Sequence, residues 1–309
     1  MAFDRLVLIT RQTELEALIE RFQTRSQAEF YLTQAGQDFQ QIATRDDIYQ
    51  AALSKIRSAI PNDLKIHVIE RRTLSQYRFE AKDVVVTLGQ DGLVANVAKY
   101  LDGQPLLAVN PDPGSIDGVL LPVSVTAFQT VLKRVLTEAA DTKSVTMAEA
   151  RLSDGQIIRA VNDIFIGSAS HASARYHVQI GNQSEEHSSS GLIVSTGVGS
   201  TGWLRSIYAG AIAISRQLNP ELAIPQPEPL PWDAEKLVFN VREPWPSLTT
   251  QAMLVSGQLL GGQVLMLTSR MPTGGVIFGD GVQADYLDFN AGVVAQLGVA
   301  DRRLCLVLS

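Results

Sequence analysis

The stretch D-V-V-V-T-L-G-Q-D-G, residues 83–92, decides the fold class. Residues 83–88 form a nearly continuous apolar run, which is typical of a strand buried in a parallel sheet. Gly89 permits a tight turn directly after this run, and a helical pattern follows at 91–101. Strand and helix patterns alternate on both sides, with strands predicted at 6–10, 65–70 and 105–109 and helices at 14–22 and 46–60. This alternation predicts a parallel sheet with helices on both faces.

The pattern changes near residue 140, after which short β-like runs separated by turn residues predominate. Residues 145–152 and 156–160 predict a hairpin, because Asp154-Gly155 between them favours a tight turn. We therefore expect two domains, an α/β nucleotide-binding domain at 1–139 and a β-rich domain at 140–291.

The β-rich region contains one predicted helix, at 200–217, and one proline-rich segment, I-P-Q-P-E-P-L-P at 224–231. Proline cannot donate to a strand ladder or continue a helix, so this segment is predicted to be a surface loop. The other predicted strands are 176–180, 237–241, 251–255 and 264–269.

Composition narrows the classes of function. The 309 residues include 26 basic and 32 acidic side chains, so the net charge is −6 and a nucleic-acid partner is not expected. Apolar runs fall far short of the roughly 20 residues of a membrane span, and no signal or transit peptide is recognisable, so we expect a soluble, cytoplasmic protein.

The single cysteine, Cys305, excludes an internal disulfide. No set of metal ligands can be identified from the four histidines.

The first candidate site is Gly89-Gln90-Asp91-Gly92, where glycines would let the backbone approach a phosphate at a helix N-terminus. Asp91 could accept a proton from a hydroxyl nucleophile or help to hold magnesium, or it could simply cap the helix. Asn110 would lie beside Asp91 if strands 83–88 and 105–109 are neighbours. Alternatively, Asn110 belongs to a turn stiffened by proline.

Two further candidates lie in the β-rich region. Asn162 and Asp163 interrupt an apolar run, although both residue types disfavour strands, and each needs a polar partner if it is buried. A ligand hydroxyl, a base edge or nearby backbone could supply that partner. The second candidate is residues 190–203, where an apolar strand enters a loop of small residues that opens a helix. A ligand could lie against this backbone, or the segment is only a structural connection. Its candidate binding residues are Ser195, Thr196, Ser200, Thr201, Gly202 and Trp203.

Together these segments occur in the order and spacing of the NAD kinase family, which the chain resembles from about residue 64 to its C-terminus. More narrowly, the chain resembles the mitochondrial-type branch. The segments that carry this narrower resemblance are V-N-P-D-P-G-S-I-D-G-V-L-L-P-V at 109–123, F-N-V-R-E-P at 239–244, and Gly279-Asp280-Gly281 with the residues up to 290.

The resemblance implies an NAD kinase and diacylglycerol kinase-like fold in which a tail, residues 292–309, packs back on the first domain. It implies transfer of the ATP γ-phosphate to the 2′-hydroxyl of the adenosine ribose of NAD, with Mg²⁺ or another divalent cation. It also implies small-molecule nucleotide ligands and a homodimer or higher homo-oligomer.

By position, the resemblance assigns Asp91 as the general base, and Gly89 and Gly92 as the phosphate turn. Asn162 and Asp163 would bind the adenine-side ribose and base. Thr201, Gly202 and Trp203 would line the dinucleotide pocket.

The sequence departs from the family pattern at four positions. Gln90 replaces a glycine, Ser190 an aspartate, Asp163 a glutamate and Trp203 a tyrosine; at Ser190 and Trp203 the chain resembles the mitochondrial-type branch. Because Gln90 and Ser190 lie in acceptor-side motifs, two other functions stay open. One is a kinase of the same fold that acts on a lipid or sugar, and the other is a non-catalytic NAD(P)-binding regulator.

Overall fold

A computed structural model describes residues 3–282 and 285–309. The chain divides into two compact units. The first comprises the chain up to Lys143 together with Cys305–Ser309, and the second comprises Ser144–Leu304.

The first unit is an α/β structure around a parallel sheet. Its order of strands is β2-β1-β3-β4, and the register places Arg5 of β1 beside Asp83 of β3. Two hydrogen bonds of 2.7 Å join these two side chains and fix the register. The elements are β1 (Arg5–Thr10), α1 (Glu14–Phe22), α2 (Arg25–Gln34), α3 (Phe39–Ala59), β2 (Lys65–Glu70), β3 (Asp83–Leu88), α4 (Asp91–Ala98), β4 (Pro105–Asn110), β5 (Val123–Ser124) and α5 (Phe128–Leu136).

Apolar faces of α3 and α5 pack on one side of this sheet. Tyr49 and Ile56 of α3 and Phe128 of α5 lie in this core with alternate residues of the strands. The parallel sheet is as predicted. The helix predicted at 46–60 begins earlier, at Phe39, and α2 was not predicted.

The elements that follow are mostly strands of the second unit. They are β6 (Thr142–Leu152), β7 (Ile157–Ala160), β8 (Asp163–Ser168), β9 (Ala174–Ile180), β10 (Gln183–Ser189), β11 (Leu192–Ser195), α6 (Trp203–Leu218), β12 (Lys236–Val241), β13 (Ser256–Leu260), β14 (Leu265–Ser269), β15 (Gly275–Gly279), β16 (Leu287–Asp288) and β17 (Val294–Val307). A 3₁₀ turn, Gly199–Thr201, precedes α6.

Two antiparallel arrays form the second unit. One has the order β13-β12-β11-β8-β15-β16, and the other contains β10-β9-β14-β17 with β6 and β7. Their facing side chains, Tyr176 and Phe239 among them, form one buried core. The opposite face of the six-stranded sheet packs against α6. The predicted β-rich region is therefore confirmed.

One predicted strand, 251–255, is wrong. These residues are irregular, and the strand β13 follows at Ser256–Leu260. The backbone N–H groups of Met253 and Leu254 donate to the carboxylate of Glu185 instead of to a neighbouring strand. The segment 224–231 is irregular, as predicted. No helix in the described ranges is long and apolar enough to cross a membrane.

β17 takes part in both units. Residues 294–297 pair antiparallel with β14 of the second unit, whereas Cys305 and Leu306 pair parallel with β4 of the first. Val307 is fully buried in the core of the first unit.

Candidate functional site

In the first unit, the turn after β3 places Asp91 at the start of α4. β3 and β4 are parallel neighbours, so their carboxyl ends lie at the same edge of the sheet. The backbone N–H of Gly89 donates to the carbonyl of Val109 at 3.2 Å. Gln90 is the N-cap residue, with φ −96° and ψ 164°, an extended conformation that any residue adopts. The departure from glycine at this position therefore causes no backbone strain.

Asp91 does not cap its own helix. Its two carboxylate oxygens accept hydrogen bonds from the backbone N–H groups of Val119, at 3.1 Å, and Leu120, at 2.8 Å. These bonds fix the orientation of a partly exposed carboxylate at the edge of the sheet. Each oxygen keeps a further lone pair, so the group can still accept a proton or contact a cation. Gly92, the next residue, is exposed.

Asn110 lies at the same edge, and its side-chain amide forms hydrogen bonds within the loop that follows it. Its amide nitrogen donates to the carbonyl of Ile116, and its amide oxygen accepts from the N–H of Asp112, both at 3.0 Å. The side chain is 5% exposed. The geometry is that of a turn stabilised by asparagine, which was one of the two interpretations of this segment.

A cleft of about 320 Å³ opens at this edge of the sheet. Arg11, which directly follows β1, lines it together with Tyr49 and Gln90. Arg11 was not predicted as a site residue, because one arginine after a strand forms no motif. Only the folded structure shows that Tyr49 of α3 packs against Arg11.

In the second unit, Asn162 and Asp163 lie where the chain enters β8. The carboxylate of Asp280 accepts the backbone N–H groups of Val161, at 3.0 Å, and Asn162, at 2.7 Å. The N–H of Asp280 in turn donates to the carbonyl of Asp163, at 2.9 Å. The backbone of this turn is thus fixed, whereas the half-buried side chain of Asn162 makes no hydrogen bond within the described ranges.

The Asp163 side chain points into the protein. It is 9% exposed, and the hydroxyl of Ser195 on the adjacent strand β11 donates to it. Burial raises the pKa of Asp163 to about 7; the Ser195 hydrogen bond opposes this rise, and the nearby charge of Asp280 adds to it. Nearby protein groups therefore satisfy Asp163, and Asn162 is the residue of this pair with free polar atoms.

The loop of small residues after β11 lies directly against the Asn162 turn. The N–H of Thr196 donates to the carbonyl of Asn162 at 2.9 Å, and the Thr196 hydroxyl donates to the carbonyl of Val161. A β-carbon at Gly199 would lie 2.2 Å from the carbonyl oxygen of Asn162, and one at Gly197 would lie 2.1 Å from that of Pro231. Glycine is required at both positions because side chains would collide with backbone.

Of the remaining candidates in this loop, Ser200 is buried, whereas Thr201 and Gly202 are exposed. Ser200 is 8% exposed; its hydroxyl donates to the carbonyl of Gly197 and accepts the N–H of Leu230, at 2.7 and 2.9 Å. Thr201 and Gly202 are exposed, and the Thr201 hydroxyl donates to the carbonyl of Val198 at 3.0 Å. Ser200 therefore joins the proline-rich loop to the start of α6.

Trp203 forms the wall of an aromatic cleft of about 410 Å³. Its ring stacks on Phe165 with a centroid distance of 5.7 Å and an interplanar angle of 14°. The guanidinium carbon of Arg242 lies 5.2 Å from the centroid of the Trp203 ring. The cleft thus combines aromatic side chains with a guanidinium that lies over the Trp203 ring, a combination suited to a planar heteroaromatic ring.

No group of three or more histidine, cysteine or acidic side chains that could hold a metal ion occurs at positions 3–282 or 285–309. Magnesium bound with a nucleotide needs only one or two carboxylates, because phosphate oxygens and water complete its coordination. Asp91, a partly exposed carboxylate, fits that role.

The fold is similar to those of two solved kinases, although no known protein-family profile and no curated protein matches the sequence. Yeast NADH kinase complexed with NADH has a TM-score of 0.62 and 16% identity, covering 99% of this chain and 84% of that chain. An NAD kinase from Archaeoglobus fulgidus in complex with ATP has a TM-score of 0.55 and 14% identity, covering 97% of this chain and 92% of that one. At these identities, the similarity is one of fold.

Proposed function

We propose that this chain is an ATP-dependent NAD kinase, which transfers the γ-phosphate of ATP to the 2′-hydroxyl of the adenosine ribose of NAD and releases NADP. The observation that supports this proposal is that motifs resembling the NAD kinase family occur on a fold similar to those of kinases of NAD and NADH. Membership of the family, and of its mitochondrial-type branch, is part of the same proposal.

In the first unit, we assign Asp91 as the general base. A ribose hydroxyl is a weak nucleophile near neutral pH, so a fixed carboxylate that accepts its proton assists attack on phosphorus. The hydrogen bonds from Val119 and Leu120 support this role because they hold the carboxylate in one orientation. Gly89 and Gly92 would form the turn beside the phosphates.

In the second unit, we assign Asn162 and Trp203 to the dinucleotide. The Asn162 amide offers both a donor and an acceptor to a ribose hydroxyl or a base edge. Trp203 offers a flat surface to a ring. Ser195, Thr196 and Asp163 would act indirectly, by holding the Asn162 turn against the glycine loop.

Magnesium, when bound with the nucleotide phosphates, would offset their negative charge in a protein whose own net charge is −6. Because the general base must stay free to accept a proton, phosphate oxygens and water would supply most of the coordination of this ion. We further propose that the active form is a homodimer or higher homo-oligomer, as the family resemblance implies.

The test is to incubate purified protein with ATP, magnesium and either NAD or NADH, and to measure NADP or NADPH with an NADP-specific enzyme. Asp91→Asn should abolish product formation; its melting temperature should fall, because asparagine can accept only one of the two backbone N–H groups, but circular dichroism should show a folded protein. Asp117→Asn is the matched control, because Asp117 is an exposed aspartate in the loop after β4. Full activity of Asp91→Asn would exclude the assigned base.

Two other outcomes would replace the proposal. Binding of NAD without product would favour a non-catalytic regulator. Stabilisation against heat by a lipid or a sugar, with none by NAD, would favour a kinase of another acceptor.

A further inference from the structure

Arg11 is a partly buried cation that makes no ion pair with a carboxylate of residues 3–282 or 285–309. Its Nε atom is buried and makes no hydrogen bond within the described ranges. Its one hydrogen bond from the guanidinium is a long contact, 3.4 Å, from Nη1 to the carbonyl of Gln12. A partly desolvated guanidinium without an anion is unfavourable, so an arginine held in this way indicates a missing anionic partner.

Tyr49 of α3 holds Arg11 in position. The backbone N–H of Arg11 donates to the hydroxyl of Tyr49 at 3.1 Å, and that hydroxyl donates to the carbonyl of Leu88 at 3.4 Å. The guanidinium carbon lies 5.2 Å from the centroid of the Tyr49 ring. Tyr49 therefore links the end of β1 to the end of β3 and supports the arginine side chain between them.

The same side chain lies over the Gly89 turn. A β-carbon at Gly89 would be 3.3 Å from Cδ and 3.4 Å from Nε of Arg11. The absence of a side chain at Gly89 thus leaves space for the arginine beside the first turn of α4. The cleft of about 320 Å³ begins here, at the carboxyl edge of the parallel sheet, where α/β folds bind ligands.

Arg45, the other cation of the cleft, is exposed and lies 3.7 Å from the carboxylate of Glu14. The carboxylate of Asp46 accepts the hydroxyl of Thr13 at 2.6 Å, and Asp112 adds another carboxylate to the lining. Arg11 is therefore the partly buried cation of this cleft.

We infer that Arg11 binds the phosphate groups of the donor nucleotide in this cleft. This inference rests on the proposed function and adds a donor-binding residue to it. Arginine suits the role, because its planar guanidinium can donate two parallel hydrogen bonds to one phosphate. The donor is favoured over the dinucleotide because neither Asn162 nor Trp203, which we assign to the dinucleotide, lines this cleft.

The experiment measures binding by calorimetry, with magnesium and ADP as one probe and NAD as the other. Arg11→Gln should weaken ADP binding roughly tenfold or more and leave NAD binding unchanged. Arg11→Lys should recover part of the loss, because the charge is kept but the planar fork is not. Arg57→Gln, an exposed arginine of α3, is the matched control and should change neither affinity.

Circular dichroism and the melting temperature establish that each variant is folded. The substitution leaves the backbone hydrogen bond to Tyr49 in place, so a large loss of stability is not expected. Failure of the wild-type protein to bind ADP, or equal ADP affinities of folded Arg11→Gln and wild type, would overturn the inference. A selective loss of NAD binding would also overturn it.

These outcomes are separable from the proposed function. If no NADP forms but Arg11→Gln still loses ADP binding, the arginine site stands and the reaction is a different one. If NADP forms, the KM for ATP should rise in Arg11→Gln while the KM for NAD stays constant.

Discussion

The hydroxyl of Ser195 donates a hydrogen bond to the carboxylate of Asp163, although the two residues are 32 positions apart in the chain. They face each other across the antiparallel pair of β11 and β8. This bond ties the start of the glycine loop to the Asn162 turn, so the two motifs of the second unit form one structure.

The titration of Asp163 should be visible in the pH dependence of stability. Its usual pKa is 3.8, and burial raises it to about 7. The folded state therefore binds this proton more tightly than the unfolded chain, and the group lowers stability progressively as the pH rises from about 4 to about 7. The penalty is absent below this range and complete above it.

Asp163→Asn removes this titration and keeps an oxygen that can accept the Ser195 hydroxyl. The free energy of unfolding of the variant minus that of wild type should be about 2–3 kcal/mol larger at pH 8 than at pH 5. Urea unfolding of both proteins at the two pH values measures this difference. Equal differences at both values would show that Asp163 titrates in its usual range.

Asp280→Asn should weaken the Asn162 turn. Asp280 accepts two backbone N–H groups there, and the amide oxygen of asparagine can replace only one of its two carboxylate oxygens. We expect a loss of about 1–3 kcal/mol of stability and weaker NAD binding. Loss of the Asp280 charge should also move the stability transition of Asp163 to lower pH. Unchanged NAD affinity would show that the turn does not position the ligand.

Gly197→Ala should be strongly destabilising, because the new methyl group would lie 2.1 Å from the carbonyl oxygen of Pro231. Moving this backbone costs about 1–3 kcal/mol or more. Gly210→Ala in α6 is the control, since no heavy atom lies within 4 Å of its β-carbon. That substitution should stabilise the helix by about 1 kcal/mol. Chemical unfolding compares the two variants.

Trp203→Ala should lower the affinity for the dinucleotide about tenfold, because a stacking surface worth about 1–3 kcal/mol per base is removed. Trp245→Ala is the matched control: Trp245 is 68% exposed in an irregular segment and lies outside the aromatic cleft. Fluorescence or calorimetric titration with NAD gives both affinities. Equal losses in the two variants would argue against a role for the aromatic cleft.

The buried strands were predictable from sequence because their burial is continuous. All six residues of β3 are buried, and the apolar run 83–88 shows this directly. α2 shows the opposite case. Its two buried residues, Ala28 and Leu32, are too few to produce a helical pattern, and Thr24 at its N-terminus is a weak signal.

The features that could not be predicted from the sequence depend on contacts between residues far apart in the chain. Residues 251–255 are apolar enough for a strand, but the carboxylate of Glu185 binds their backbone. Arg11 is held in the cleft by its contact with Tyr49, which lies 38 positions away in the sequence. Asn162 and Asp163 were expected to act together, whereas their side chains have opposite environments. Asp163 is the first residue of β8, whose first five residues are all buried, whereas Asn162 precedes the strand.

The pairing of β17 with β4 has a consequence for the order of synthesis. Cys305 and Leu306 complete an edge of the first unit's sheet, and Val307 fills its core, yet they leave the ribosome after the whole second unit. The first unit therefore cannot complete its sheet until the second unit has been synthesised, which differs from the usual N-terminal-first order. Until these residues emerge, the part of β4 that they pair with is an unpaired edge, open to pairing with another nascent chain.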